Sequence, residues 1–263
     1  MNYTSNPSES IVNNHQDTVR LRASDTEVQA YQALAQAARS APIPPNQLLA
    51  HLPLFLTRSS LAHILFMNDL YRQALNVHGD ILEFGTRWGR NLALFLSLRN
   101  IHEPHNYTRR VIGFDTFEGF ASLSAEDGGD AILKDGHLAV SEAWDRQLAA
   151  LLGQHEALGP RPNVQRYELV KGDVCETFPA WLQQHPESLV ALAYFDMDIY
   201  RPTREALQAL LPRLTRGSVI GFDELCLQAF PGETIALREV LDLSRHRLIR
   251  SPYSGNQSYI IFE

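Results

Sequence analysis

The sequence predicts an α/β protein with a mostly parallel sheet, helices on both of its faces, a closing antiparallel hairpin and a helical N-terminal extension. Three observations carry this. From Gly79 onward, short apolar runs alternate with amphipathic stretches, as repeated β-α units require. At the end the alternation gives way to two short runs, HRLIRSP and QSYIIFE, around YSGN, which is a hairpin pattern. Before Gly79 the periodicity is helical.

Residues 1–23 are polar, lack periodicity and read as flexible. Ser24-Asp-Thr-Glu27 is a capping box, so a helix runs from there to about Ser40. APIPPNQ breaks it, and a second helix covers Arg58 to Asn76. Residues 1–78 thus read as a flexible arm plus helical extension, and 79–263 as the main domain. Within that domain the strands are DILEF, RRVIGFD, VQRYELVKGD, SLVALAYFDMD and GSVIGFDEL. The helices are RNLALFLSLRN, SEAWDRQLAALLGQ, CETFPAWLQQH, TREALQALLPRL and GETIALREVLDL.

A chain of 263 residues with 44% hydrophobic side chains can bury a sizeable core. Its net charge is −7 and it has no long basic run, which argues against a nucleic-acid partner. The N-terminus MNYTSNPSES has no apolar stretch of the kind a secretory leader needs, and no apolar run approaches membrane-spanning length. A cytoplasmic protein is the expectation. Cys175 and Cys226 show no metal-type spacing and read as small buried hydrophobes.

Chemistry-bearing residues gather at strand ends, where open α/β sheets bind ligands. The first strand runs into Glu83-Phe-Gly-Thr-Arg-Trp-Gly89, two glycines four apart at a strand-to-helix turn. That spacing admits a close backbone approach to a ligand, and it is not the GxGxxG of a dinucleotide fold. An ordinary turn is the plain alternative. The second strand ends in Asp115, where a ribose would be held. The third ends in Asp173, which either accepts from an adenine amino group or caps the next helix. The fourth ends in Asp196-Met-Asp198, and residues i and i+2 of a strand share a face. The fifth ends in Asp223-Glu224. Carboxylates so close repel unless a hard cation such as Mg²⁺ or nearby Arg201, Arg204 or Arg87 relieves them.

With EFGTRWG, GFDTFEGF, VKGD, FDMDIYRPT and FDEL in order, the stretch from Gly79 to Glu263 resembles class I S-adenosylmethionine-dependent methyltransferases, specifically the macrocin O-methyltransferase type that methylates sugar hydroxyls. The resemblance implies a Rossmann-like, seven-stranded sheet with its last strand antiparallel. It implies S-adenosylmethionine as cofactor, held around Glu83, Phe84, Gly85, Thr86, Arg87 and Gly89, with Glu83 and Gly85 near the methionine part. Asp115, Thr116 and Phe117 would meet the ribose, Gly172 and Asp173 the adenine, and Asp196 would also border the cofactor. It further implies Mg²⁺ on Asp196, Asp223 and Glu224, where family members often carry Asp-Asp in place of Asp223-Glu224. Asp198 would be the general base. A sugar or glycoside acceptor and a homo-oligomer are also implied.

His137 is either a second base or an ordinary loop histidine. Glu233 either lines the acceptor site or starts a helix. Trp88 either stacks on a ligand or is buried. Two other functions compete with a metal-assisted sugar O-methyltransferase. One is a metal-independent methyltransferase of another small hydroxylated metabolite. The other is a non-catalytic S-adenosylmethionine-binding protein, which the acid pair Asp196 and Asp198 argues against.

Overall fold

The structure, a computed structural model, describes residues 24–130 and 133–263. The reading of residues 1–23 as flexible falls outside them. Two compact units divide the chain after Ala62.

In the first unit, helix α1 (Asp25–Ser40) begins as the capping box requires: the Ser24 hydroxyl accepts from the Glu27 N–H, and the Glu27 carboxylate accepts from the Ser24 N–H at 2.8 Å. APIPPNQ and the residues after it are not plain loop. They hold a short helix α2 (Pro45–Leu48) and a 3₁₀ stretch Leu49–Phe55, because Pro45 sits at a helix start, where its missing N–H is not needed.

The second unit, 63–263, starts within helix α3 (Arg58–Ala74), ahead of the Gly79 boundary read from the alternation. The reason is packing. Phe66, Met67, Leu70, Tyr71 and Ala74 bury one face of α3 in the same cluster as Ile81, Leu192 and Val219 of the sheet.

The sheet comprises β1 (Asp80–Phe84), β2 (Val111–Asp115), β3 (Tyr167–Lys171), β4 (Val190–Phe195), β5 (Leu214–Phe222), β6 (Leu248–Arg250) and β7 (Ser258–Ile261). Its order is β3-β2-β1-β4-β5-β7-β6. The first five strands pair in parallel, while β7 lies antiparallel against both β5 and β6. The hairpin expected from HRLIRSP and QSYIIFE is therefore present, with its second strand inserted beside β5. Helices α3, α4 (Arg90–His102) and α5 (Trp144–Ala157) contribute to the core on one face. Helices α6 (Val174–Gln184), α7 (Tyr200–Leu210) and α8 (Gly232–Val240) contribute to the other. Among the described residues no single helix is long and apolar enough to cross a membrane.

Strand order reverses between β1 and β4, since β1 is followed on one side by β2 and on the other by β4. This is the switch point at which such sheets open a crevice. Ladder bonds continue one residue past the strand ends: Asp196 N–H donates to Phe84 at 2.8 Å and Asp223 N–H to Phe195 at 3.0 Å. Gly85 passes so close to β4 that a Cβ there would sit 1.9 Å from the Asp196 carbonyl oxygen, and its φ is +93°. Only glycine meets both demands. Gly85→Ala is therefore expected to lower the urea-unfolding free energy by on the order of 2–4 kcal/mol. Gly153→Ala, whose Cβ would lie in α5 at 3.4 Å from the Tyr167 hydroxyl, is the neutral control.

Candidate active site

A cleft opens beyond the carboxyl ends of β1 to β4. Of the residues anticipated from sequence, Gly85, Arg87, Asp115, Thr116, Gly172, Asp173, Asp196 and Asp198 line it. Apolar walls come from Phe114, Phe120, Leu138, Val174, Met197 and Ile199.

Other anticipated residues stand elsewhere. The Phe84 ring is in the core, stacked on Phe114 and close to Phe178 and Phe195. Phe117 is buried in the core on the α4 side, Thr86 is buried, and Gly89 occupies the N-cap of α4 against Leu148. Glu83 is wholly enclosed in β1. Its side chain therefore does not line the cleft. Trp88 meets Trp144 edge-on at 5.0 Å between ring centroids. The His137 ring lies 6.2 Å from that of Phe120, in the loop after β2 and off the cleft wall.

Asp115 has a structural task that its position alone did not announce. Its two carboxylate oxygens accept from the backbone N–H groups of Arg87 (2.7 Å) and Phe117 (2.5 Å), and both donors sit at positive φ. The carboxylate thus ties the loops after β1 and β2 together. Burial raises its pKa, and these N–H bonds oppose the rise. Asp173 does cap α6, accepting from Cys175 N–H at 2.9 Å, while still facing the cleft. Capping and cleft-lining are therefore compatible here.

Beside the cleft, carboxyl groups from three elements converge. Strand β4 ends at Phe195, so Asp196 and Asp198 do not share a strand face as expected. They sit in the following loop, with Asp198 in the left-handed region at φ +64°, a conformation an Asp tolerates better than most residues. They nevertheless feel each other. Asp196 is raised well above the ordinary range by burial, then by the charges of Asp223 and Asp198, with Arg90 opposing. Asp198 is pushed up to about 7 by burial and by Asp223, against the pull of Arg87. Glu224 rises to about 8 through burial and the charges of Asp198 and Asp223. Glu233, fully buried at the start of α8, is raised by burial and by Asp198, Asp223 and Asp196. Its Oε2 accepts from the Glu224 N–H at 3.1 Å, and its Oε1 has no hydrogen-bond partner.

The arginines relieve this set only in part, since burial and like charge still raise Asp196 and Asp198 against Arg90 and Arg87. Arg204 pairs with Glu205 and Glu239, leaving Arg87 and Arg90 as the cations whose fields reach Asp196. Asp198 and Glu224 receive no side-chain hydrogen bond from the protein among the described residues. All-oxygen donors, several of them unpaired, match what a hard divalent cation prefers. The chemistry fits, although no three His, Cys, Asp or Glu groups stand in a ligating array among the described residues. Of the two cysteines, Cys175 is partly buried, but Cys226 is exposed at φ +61° in the loop after β5, so the buried reading fails for Cys226.

Residues distant in sequence complete the centre. Asp223 Oδ1 accepts from Tyr194 Oη at 2.5 Å and Gln257 Nε2 at 2.8 Å. Asp196 Oδ2 faces Asn91 Nδ2 at 3.4 Å. Tyr194 directly precedes FDMD; His63, Asn91 and Gln257 belong to no motif, and only folding brings them here.

The stretch 82–225, from β1 to just past β5, matches the model of a methyltransferase domain family. The chain belongs to this methyltransferase family. The match takes in Asp115, Asp173, Asp196, Asp198, Asp223 and Glu224 but not Glu233. Two structures of one relative, CalS11, are similar over 93% of this chain. One is a calicheamicin methyltransferase at 41% identity and TM-score 0.89, covering 95% of that chain. The other is its apo form, TDP-rhamnose 3′-O-methyltransferase of calicheamicin biosynthesis, at 39% identity and TM-score 0.81, covering 97% of that chain. A curated relative from Streptomyces olivaceus, 8-demethyl-8-(2,3-dimethoxy-alpha-L-rhamnosyl)-tetracenomycin-C 4′-O-methyltransferase, is 31% identical over 164 residues. That match spans 58% of this chain and 55% of the relative, about half its length.

The buried methyltransferase residue Glu83 gives a stability prediction. Burial raises its pKa from 4.5 to about 8, opposed by the Asn91 side chain, the charge of Arg90 and the Thr86 hydroxyl. Below 4.5 it is protonated in both the folded and unfolded states. Between 4.5 and about 8 the unfolded chain ionises while the folded one stays protonated, so stability is lost as pH rises. Glu83→Gln, which cannot ionise, is expected to remove this loss. Its unfolding free energy relative to the native chain should grow across that window by on the order of a few kcal/mol, then level off. Denaturant titrations of the ligand-free proteins across pH measure it, and parallel profiles would refute it.

Proposed function

We propose that this protein transfers a methyl group from S-adenosylmethionine to a hydroxyl of a 6-deoxyhexose of the rhamnose type, carried on a nucleotide or on a natural-product glycoside. The observation that carries the reading is the half-buried Asp198 carboxylate. It stands on the cleft wall, bears no protein hydrogen bond among the described residues, and lies within the fields of Asp223 and Arg87. The named activities of CalS11 and the Streptomyces olivaceus relative supply the acceptor class.

The cleft suits the cofactor. It offers apolar walls for an adenine and carboxylates for hydroxyl and ammonium groups. Bound there, S-adenosylmethionine supplies a methyl group already activated by a sulfonium leaving group. Asp115 and Asp173 orient the adenosine half, and Gly85 lets the β1 turn come close. Phe120, Leu138 and Ile199 shield the cleft from water. Asp198 accepts the hydroxyl proton as the new C–O bond forms and the S–CH₃ bond breaks. The products are the methyl ether, S-adenosylhomocysteine and a proton on Asp198.

Asp196, Asp223 and Glu224 would hold Mg²⁺, whose contribution is to acidify and orient a sugar hydroxyl. The alternative is a metal-independent transfer, favoured by the absence of a ligating array among the described residues. In that case the Asp198 carboxylate and site alignment act alone.

The test incubates the protein with S-adenosylmethionine and TDP-rhamnose or a rhamnosylated aglycone, and follows gain of one methyl group by mass spectrometry. Asp198→Asn is expected to lower kcat by about 10²- to 10⁴-fold with S-adenosylhomocysteine affinity unchanged. Chelator is expected to abolish turnover and Mg²⁺ to restore it. Turnover that survives chelation selects the metal-independent route, and full activity of Asp198→Asn removes Asp198 as the base.

A further inference from the structure

Between the carboxylates of Asp196 and Asp223 runs a continuous buried path of side chains. Asn91 Nδ2 faces Asp196 Oδ2 at 3.4 Å, and Asn91 Oδ1 meets His63 Nε2 at 2.6 Å. His63 Nδ1 meets Gln257 Nε2 at 2.8 Å, and that same amide nitrogen reaches Asp223 Oδ1 at 2.8 Å. His63, Asn91 and Gln257 are 7%, 2% and 5% exposed. They come from α3, from α4 and from the residue preceding β7. Their side chains bond no backbone group among the described residues.

We infer that Asn91, His63 and Gln257 are positioning residues whose hydrogen-bonded path fixes Asp196 and Asp223 in one mutual geometry. The inference rests on the proposed reading of those two acids as ligands of a divalent cation.

The path has one consistent pattern of hydrogens, set by its two ends. As a cation ligand Asp196 would be ionised and could only accept, so Asn91 turns its NH₂ toward it. Its Oδ1 then faces His63 and requires a hydrogen on Nε2. In the neutral ring Nδ1 is left as an acceptor, filled by one hydrogen of the Gln257 amide. The second hydrogen of that amide goes to Asp223 Oδ1, with Tyr194 Oη also in reach at 3.3 Å. Asn91 and His63 each donate toward Asp196 and accept from the other side, while Gln257 donates both ways, to His63 and to Asp223.

Such a path is a poor way to stabilise a core. Phe66, Met67 and Leu70 of α3 fill the neighbouring volume, and apolar residues along the path would spare it the cost of burying polar groups. What apolar residues would not do is hold two carboxylates at a set separation. Partners that orient ligating groups control cation affinity by about 10- to 100-fold.

The experiment titrates the full chain with Mn²⁺ as probe cation and, separately, with S-adenosylhomocysteine. It compares the native protein with His63→Leu, His63→Gln and Gln257→Leu. His63→Leu and Gln257→Leu are expected to weaken Mn²⁺ binding by about 10- to 100-fold and to leave S-adenosylhomocysteine affinity within about twofold, because neither residue lines the cleft and the Asp196 backbone stays anchored to β1. His63→Gln is expected to recover most of the Mn²⁺ affinity, since one amide both donates and accepts. Nitrogen-15 histidine spectra of the native protein should contain a neutral Nε2–H tautomer signal that His63→Gln removes. Variants that bind Mn²⁺ like the native chain and only melt earlier would overturn the inference, as would the opposite tautomer. A native chain that binds no Mn²⁺ would overturn the cation reading and this inference with it, and that outcome is visible before any variant is made.

Discussion

Mutual repulsion among carboxyl groups at the ends of β4 and β5 is the constraint around which the rest of this molecule is arranged. Asp196, Asp198, Asp223, Glu224 and Glu233 lie within one another's fields, and water is largely excluded from several of them. Left to itself such a set would spread apart. The sheet prevents this. Parallel pairing registers Phe195 with Phe222, and ladder bonds extend to Asp196 and Asp223. The two acids are thereby anchored by backbone rather than by their own side chains. The start of α8 adds Glu233, whose carboxyl binds the Glu224 amide and holds the β5 loop against its neighbours.

The same strand end serves two purposes. Asp196 and Asp198 belong both to the cleft wall and to the acidic centre, so whatever lies in the cleft meets whatever the acids hold. This economy needs unusual backbone. Arg87, Phe117 and Asp198 all sit at positive φ, and Asp115 stabilises two of them by accepting their N–H groups. Strained residues persist where surrounding bonds over-determine them, and they concentrate where a ligand must be approached closely. A methyl transfer depends mainly on alignment, and rigid turns at the ends of buried strands supply it.

Buried ion pairs elsewhere keep the frame stiff. Glu156 accepts from Arg99 and Arg166, both almost wholly buried, joining α4, α5 and the residue before β3. Asp80 receives Arg110 and the Ser188 hydroxyl at the opposite end of the sheet. Removing one partner of such a group would strand a buried charge, so these contacts fix how the helices sit on the strands that carry the site.

The sequence by itself determined the strands, their alternation with helices, the N-cap at Ser24 and the acids at the strand ends. These are local properties: apolar runs of strand length, capping chemistry and turn residues are written in neighbouring positions. It misjudged features that depend on distant partners. Asp198 leaves the strand and turns left-handed, which period-two logic cannot foresee. Cys226 is exposed although its residue type favours burial, because its loop faces outward. Helix α3 joins the sheet's core across the boundary that composition suggested. Only the tertiary structure brought His63, Asn91 and Gln257 together from three separate parts of the chain. Hydrogen bonds between side chains depend on distances that no spacing in the sequence encodes, and so the arrangement that joins the two central carboxylates became legible only once the chain was folded.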